Sequence, residues 1–301
     1  MSLNKIIPLR DAFIEYGRSY SNMSADYSVT DLIKPPRIVQ LQRRYKDVLD
    51  SQPKEVEKQI ASFKGNAIHS YLESMLWRFI NKNPNSGYLI ERRLWDRING
   101  RKISGKFDCY LDEVMYDFKT TSTWKKIFGD FTDWEIQLNI YAYLLRLCGV
   151  KVSRLVIIAW YTNWDKFKVY ERGYPKAEIE EIEISNLWST AAQRGYLNDL
   201  IEYHKINETL SDEELLPCTE SDMWSKDTQY AVYKYTDEVK GPKAARLLST
   251  QEEAEQWVAD KGEVKGARYE IEVRPGARTR CEEWCNVNQF CNQYMHYKGD
   301  G

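Results

Sequence analysis

ISGKFDCYLDEVMYDFKTTSTWKKIFGDFTDWEIQLNIY, residues 103–141, is the stretch from which the rest of the chain is read. Its first part alternates as a strand over 103–111, turns at Asp112 and Glu113, and continues as a strand over 114–120. A helical pattern follows over 134–148, with Gly149 placed as a capping glycine. Residues two apart on a strand share a face, so Asp117 and Lys119 project together and Phe118 points the other way. Asp108, on the preceding strand, reaches the same edge if the hairpin register allows. Two carboxylates, a backbone carbonyl such as that of Phe118, and waters suit a hard ion, Mg²⁺ or Mn²⁺. Lys119 beside such an ion can orient a water and stabilise charge growing on a phosphate. An Asp-x-Lys alone is a weak signal. Following Gly105-x-x-Asp108 on a hairpin partner, it is much sharper.

Working outward, residues 88–98 predict an earlier strand, joined to the next by an Asn99-Gly100 hairpin turn. Glu91 stands on that strand as a candidate outer carboxylate of the site. Upstream, 54–81 reads as one long helix, with Ile60, Phe63, Ala67, Tyr71, Met75 and Phe79 at core-facing spacing. Gly65 interrupts it at a cost of about 1 kcal/mol, which points to a break or to close approach of another backbone. His69 on this helix is either a structural histidine or a nitrogen ligand. Downstream of the lysine, Thr120, Thr121 and Ser122 offer hydroxyls to a substrate backbone, and Gln137 and Tyr141 lie one helical turn apart. Trp124, between Ser122 and the pair Lys125 and Lys126, either stacks on a base or packs in the core.

A weak helical pattern covers 9–16. Ser28 or Thr30 caps a short helix that Pro35 and Pro36 stop or kink. Residues 37–46 are amphipathic and basic at one end, lying either on phosphate or as a solvated face. Beyond the centre, 154–161 is a continuous apolar run, as for a strand covered on both faces. One or two further strands fall within 167–184, and Ser185 caps a helix running to about 207. The order predicts an α/β fold with a central mixed sheet flanked by helices over 1–207. A small α+β insert or lobe of β-β-α-β character follows over 208–280, its helix opened by a capping box of Thr250 and Glu253. Residues 281–301 form a cysteine-containing tail expected to pack on the core.

With 29% charged and 43% hydrophobic residues, the chain is not disordered. Its net charge of −2 argues against a general coat for polyanions, so local basic clusters would have to meet phosphate. Arg92, Arg93 and Arg97, then Arg101, Lys102 and Lys106, then Lys125 and Lys126 supply them. No apolar run approaches the ~18–20 residues that cross a bilayer. The opening residues lack a signal-peptide layout, so a cytoplasmic protein with no membrane partner is expected. No phosphate-binding Gly-rich loop ending in Gly-Lys-Ser/Thr is present.

Gly65 and His69, Glu91, Gly105 and Asp108, Asp117-Phe118-Lys119, and Gln137 and Tyr141 together resemble the ordered motifs of PD-(D/E)XK nucleases. The likeness is to the RecB-like exonuclease branch, which includes CRISPR-adaptation nucleases and phage-encoded single-domain exonucleases. It spans about 60–145. The resemblance implies a restriction-endonuclease-like core and metal-dependent hydrolysis of DNA phosphodiesters in replication, recombination or repair. It implies His69, Asp108 and Asp117 as metal ligands, Lys119 as the catalytic lysine, and Gln137 and Tyr141 as orienting the lysine or the DNA. Lacking a motor, such an enzyme would act on ends or single strands or borrow a helicase; a phage-encoded form would work in the host cytoplasm.

The six cysteines fit the same likeness with one departure. Some RecB-like nucleases hold a [4Fe–4S] cluster with one early and three late cysteines. Cys281, Cys285 and Cys291 look like the late trio, but no cysteine lies near 33–37, which leaves Cys218 as the candidate fourth ligand. Such a set holds an iron–sulfur cluster or Zn²⁺, or the trio packs metal-free. Cys109 and Cys148 read as core residues. Two other readings compete. A non-catalytic DNA-binding or scaffold subunit would be expected to have lost a carboxylate or the lysine. A sequence-specific endonuclease would need a base-reading surface, which 208–280 does not display.

Overall fold

The computed structural model describes residues 25–52, 56–82, 87–262 and 266–299. The expected helix over 9–16 and the first residues of the one at 54 lie outside them. Contacts divide the chain into two units: the described residues up to Pro36 with Asp50–Thr209, and Arg37–Leu49 with Leu210 onward.

In the first unit, β1 (Tyr27–Ser28) leads into α1 (Val29–Leu32), which Ser28 caps by accepting from the Asp31 N–H at 3.1 Å. Pro36 opens α2 (Pro36–Arg44), as its fixed φ allows, and α3 (Lys46–Ser51) follows. The long helix α4 (Val56–Lys82) precedes β2 (Leu89–Ile90), β3 (Arg93–Ile98), β4 (Arg101–Lys106), β5 (Cys109–Leu111) and β6 (Val114–Thr121). Then come α5 (Thr123–Phe128), α6 (Thr132–Leu147), β7 (Arg154–Tyr161), β8 (Ile179–Ile184) and α7 (Thr190–Thr209). The main sheet runs β2-β5-β6-β7-β8, with β6 and β7 parallel and the other pairs antiparallel, so it is mixed and flanked by helices. A smaller sheet runs β1-β4-β3.

Burial explains the centre. Leu155, Val156, Ile157, Ala159 and Tyr161 of β7 are buried, as its unbroken apolar run requires, and α6 is buried from Gln137 to Leu145. Gly149, at φ 76°, lies just past the end of α6.

Several elements differ from the sequence reading. The two expected strands at 88–98 and 103–111 are each broken. Glu91 takes a left-handed φ of 50°, and its N–H donates to Asp108 O at 2.9 Å, while the Phe107 N–H donates to Arg92 O at 3.3 Å. These paired breaks send β2 and β5 into the main sheet and the β3–β4 hairpin into the smaller one. Helix α4 is continuous through Gly65, where an added Cβ would meet Thr120 Cβ at an ordinary 3.8 Å. Its inward stripe is Ile68, Leu72, Leu76 and Ile80, whereas Tyr71, Met75 and Phe79 are exposed. Both stripes are apolar, so periodicity alone chose the wrong one. Ser189, not Ser185, stands before α7, its Oγ accepting from the Ala192 N–H at 3.2 Å. Of the one or two strands expected within 167–184, one, β8, forms, in agreement with that reading. Cys148 is exposed at the end of α6, not in the core.

The second unit contains α8 (Glu220–Met223), β9 (Ser225–Lys226), β10 (Gln229–Thr236), β11 (Val239–Lys240), β12 (Arg246–Leu248), α9 (Gln251–Lys261), β13 (Ala267–Arg274), β14 (Ala277–Arg278) and α10 (Asn292–Gly299). β10 pairs along its whole length with β13 and on its other edge with β11 and β12. Thr250 and Glu253 form the expected capping box of α9. The boundary differs from 207–208 in one respect: 37–49 belongs with this unit. Helix α2 buries one face in this unit and leaves Arg43 and Arg44 exposed on the other. Ile38 and Leu41 pack with Leu215, Val287 and Cys291. The tail thus completes this second core, with Phe290 stacked on Tyr45 at 3.9 Å. Arg37 is buried and donates to Leu216 O at 3.2 Å, to Asn292 Oδ1 at 2.6 Å and to Leu215 O.

Candidate active site

The twin breaks that split the strands bring Glu91 and Asp108 to one place, and α4 brings His69 there. His69 Nε2 lies 2.9 Å from Asp108 Oδ1, and Nδ1 lies 3.4 Å from Glu91 Oε1. One donor atom from each of His69, Glu91 and Asp108 falls within 4.8 Å of the others, the one such grouping of possible metal ligands among the described residues. Asp108 is itself held by the Phe118 N–H, which donates to Oδ2 at 2.7 Å. Phe118 also sets its ring edge-on to His69, centroids 5.9 Å apart.

Asp117 and Lys119 emerge together from β6. Lys119 Nζ is 2.6 Å from Asp117 Oδ2 and donates to Gln137 Oε1 at 2.8 Å, and Gln137 Nε2 donates to Tyr141 Oη at 3.1 Å. Residues four apart on α6 thus form a relay that fixes the lysine. Tyr141 can sit there because position 105 has no side chain: a Cβ on Gly105 would come within 2.9 Å of the Tyr141 ring and 2.8 Å of Leu144 Cδ1.

A cleft of about 560 Å³ joins these groups, and Thr30, Ser62, Asn66, Ser70, Glu73 and Lys106 complete its walls. Lys106 forms an ion pair with Glu91. Its role was legible only as part of a basic cluster, since nothing local couples it to a residue on another strand. Ser62, Asn66, Ser70 and Glu73 fall on one face of α4 with His69 and read as an ordinary polar stripe.

The electrostatics are those of crowded carboxylates. Burial pushes Asp117 up to about 6, with Asp108 adding to the rise and Lys119 opposing it. Burial also raises Glu91. The hydrogen bond to Asp108 raises His69 above the usual imidazole range, against the effect of burial. Burial acts to lower Lys119, but Asp117 outweighs it and holds the ammonium above its ordinary value.

The donor chemistry fits a divalent ion: one imidazole nitrogen and two carboxylates, with one donor atom of each within 4.8 Å of the others. Glu91 Oε1 is buried without an aligned hydrogen-bond donor among the described residues, which leaves a lone pair for a cation, whereas Asp117 Oδ2 faces Lys119 Nζ at 2.6 Å. Asp117, expected as a ligand, stands outside the 4.8 Å grouping, and Glu91, expected farther out, stands inside it.

The remaining candidates spread over the same unit. Thr120 and Thr121 end β6, and Ser122 precedes α5 without a side-chain capping bond. Trp124 is exposed, not core. Lys125 pairs with Asp133 at 2.6 Å and Lys126 with Glu180 at 3.5 Å. Arg93 donates to Ser104 Oγ at 3.2 Å, and Arg92 is exposed beside the Glu91 break. In the second unit, Cys218, Cys281, Cys285 and Cys291 line one small cavity, but no three cysteine sulfurs lie within 4.8 Å of one another. Burial pushes Cys218 up to about 12 and Cys281 up to about 11.

No protein-family model and no curated protein matches the sequence. Among solved structures, the chain is similar to the protein SSO0001 at 22% identity and a TM-score of 0.45, covering 65% of this chain and 85% of that one. It is similar to a presumed exonuclease from Eubacterium rectale at 13% identity and a TM-score of 0.39, covering 64% and 89%. It is also similar to an alkaline exonuclease from Laribacter hongkongensis at 14% identity and a TM-score of 0.30, covering 58% and 91%. At these scores the shared backbone path is partial, and the chemistry is decided by the site itself. No described helix is long and apolar enough to cross a membrane.

Proposed function

We propose that the protein is a divalent-metal-dependent nuclease that hydrolyses DNA phosphodiesters, as an exonuclease or end-processing enzyme of the RecB-like PD-(D/E)XK kind. One observation carries the reading: a grouping of His69, Glu91 and Asp108 shares a cleft with a buried Asp117–Lys119 pair whose lysine is fixed by Gln137. His69, Glu91 and Asp108 would hold Mg²⁺ or Mn²⁺, with Asp117 and the Phe118 carbonyl on the strand side. The ion would supply Lewis-acid polarisation of the phosphodiester and a more acidic water. Lys119, whose ammonium Asp117 holds above its ordinary value, would orient the attacking water and offset the charge growing on the phosphoryl oxygens. Tyr141 and Gln137 keep its Nζ in place through the two bonds already described. DNA ends or single strands, freed by a helicase or recombination partner in the cytoplasm, are the substrates proposed.

The test is digestion of end-labelled linear and circular DNA, single- and double-stranded, with Mg²⁺ or Mn²⁺, beside Lys119→Ala. Loss of at least about a hundredfold in rate with DNA binding retained is expected, in line with removal of one charge-stabilising donor. Robust cleavage by the purified variant overturns the assignment.

We also infer that Cys218, Cys281, Cys285 and Cys291 hold a metal centre. They are four in number and line a single cavity, with Arg37 and Arg280 near to offset thiolate charge. A tetrahedral zinc at ~2.3 Å from each sulfur would place the sulfurs ~3.8 Å apart. The resemblance to RecB-like nucleases, and not a measured spacing, is what favours a [4Fe–4S] cluster over a single zinc ion.

A further inference from the structure

β6 and β7 are parallel, with Thr121 opposite Tyr161, so the segments that follow them leave the same end of the sheet. The Thr123 N–H donates to Asn163 Oδ1 at 2.8 Å and ties the two segments together just past the strands. Each segment then exposes large rings. On α5, Trp124 and Phe128 are 57% and 77% exposed and stacked on each other, 5.7 Å apart and 23° from parallel. In the second segment, Phe167 and Tyr170 are 80% and 92% exposed.

Neither segment is slack. The Asp165 N–H donates to the buried Tyr174 hydroxyl at 2.8 Å, and Trp164 Nε1 donates to Pro175 O at 3.1 Å. Thr123 is buried at the root of α5. Rings this exposed on pinned supports are held out of the core by the fold. Cations interleave with them: Lys125 and Lys126, paired with Asp133 and Glu180, sit between Trp124 and Phe128, and Lys166 and Lys168 flank Phe167, with Lys166 Nζ 5.1 Å from its ring. Rings interleaved with cations match a strand whose bases present flat faces and whose backbone is anionic. A folded partner protein would need a continuous apolar surface, which the lysines interrupt. Thr121 lies only two residues past Lys119, about 7 Å along the strand, so both segments leave the sheet at the end nearer Lys119.

We propose that Trp124, Phe128, Phe167 and Tyr170 form a base-stacking rim that grips the unpaired part of a nucleic acid strand as it enters the cleft. This rests on the nuclease reading and extends it, because a duplex hides the base faces the rim needs. Stacking selects for single-stranded segments without reading sequence.

The test measures binding in EDTA, so that cleavage plays no part. A fluorescent oligo-dT strand and a blunt duplex of equal length are titrated against wild type, Trp124→Leu/Phe128→Leu, Phe167→Leu/Tyr170→Leu and the conservative Trp124→Phe, each checked for native melting. Each leucine pair is expected to weaken single-strand binding at least about tenfold, as loss of one or two base stacks does. Duplex affinity should change less than twofold. The slope of affinity against salt should stay as in wild type, since no phosphate contact is removed, and Trp124→Phe should stay within about threefold. Unchanged single-strand affinity, equal losses on both substrates, failure of wild type to bind single-stranded DNA or RNA, or a wild-type dimer that the leucine pairs dissociate each overturn the rim. Cleavage by Lys119→Ala in a parallel digest overturns the nuclease reading instead, so the two failures are distinct.

Discussion

Lys119 is worth following atom by atom. Its Nζ is shared between Asp117 and Gln137, and Gln137 in turn is bonded to Tyr141. Gln137→Ala leaves the ammonium charged but free to swing, so turnover is expected to fall about tenfold to a hundredfold with substrate affinity little changed. Steady-state kinetics on labelled DNA check this, and an equal rise in KM would show that Gln137 binds substrate instead. Gly105→Ala probes the same relay from the other side. The new methyl must displace the Tyr141 ring or Leu144, at a cost of about 1–3 kcal/mol for overpacking. Thermal melting should show that loss together with lower activity, and a stable, fully active variant would mean the ring moves freely.

At the level of elements, the sequence was most legible where one signal dominated. β7 and the capped helix α9 fell where their patterns put them. The Asp117-x-Lys119 pair was legible because a strand's two-residue period fixes which side chains travel together. The site's other half was hidden. Nothing in YLIERRLWDRI announces that Glu91 takes a left-handed φ, a conformation costing about 1 kcal/mol or more that persists only where its surroundings enforce it. The enforcing bond involves the Asp108 carbonyl, in the matching break between β4 and β5. Likewise α4 carries two apolar stripes, and only the sheet decides which one is covered. Glu91→Gln keeps the backbone and removes the charge between His69 and Lys106. Calorimetric Mn²⁺ affinity is expected to drop about 10–100-fold with melting unchanged, and unaltered affinity would remove Glu91 from the ligand set.

For the molecule as a whole, charge and cysteines point to different units. The net charge of −2 is matched by local pairing, as Lys125 with Asp133 and Lys126 with Glu180 show, so binding to polyanions must come from shaped surfaces. Cys218, Cys281, Cys285 and Cys291 lie in the second unit and line a cavity roofed by residues from α2 and α10. Sequence alone supplied the trio, but assigning 37–49 to that unit needed the contacts of Ile38 and Leu41, which are distant in the chain from their partners. Protein purified without oxygen is expected to show a visible absorption band and close to four irons per chain. Cys285→Ser should bleach it and lower the melting of the second unit, with Mn²⁺ binding at His69 and Asp108 unaffected. Absence of both iron and zinc would leave the cysteines as packed thiols.

The break at Glu91 and Asp108 has a practical use. Beyond it, β3 and β4 run out as a hairpin to Asn99 and Gly100, whose φ values of 49° and 77° suit a tight two-residue turn. The turn lies eight residues from Glu91, about 25 Å along extended chain, and Asn99 Nδ2 fastens it to Glu202 Oε1 at 2.9 Å. A fluorophore or affinity handle inserted after Gly100 would therefore ride on a rigid arm anchored at Glu91 and Asp108 yet remote from them. Attached there, a donor dye paired with an acceptor on a DNA end would measure, under the proposed activity, how far that end is drawn in.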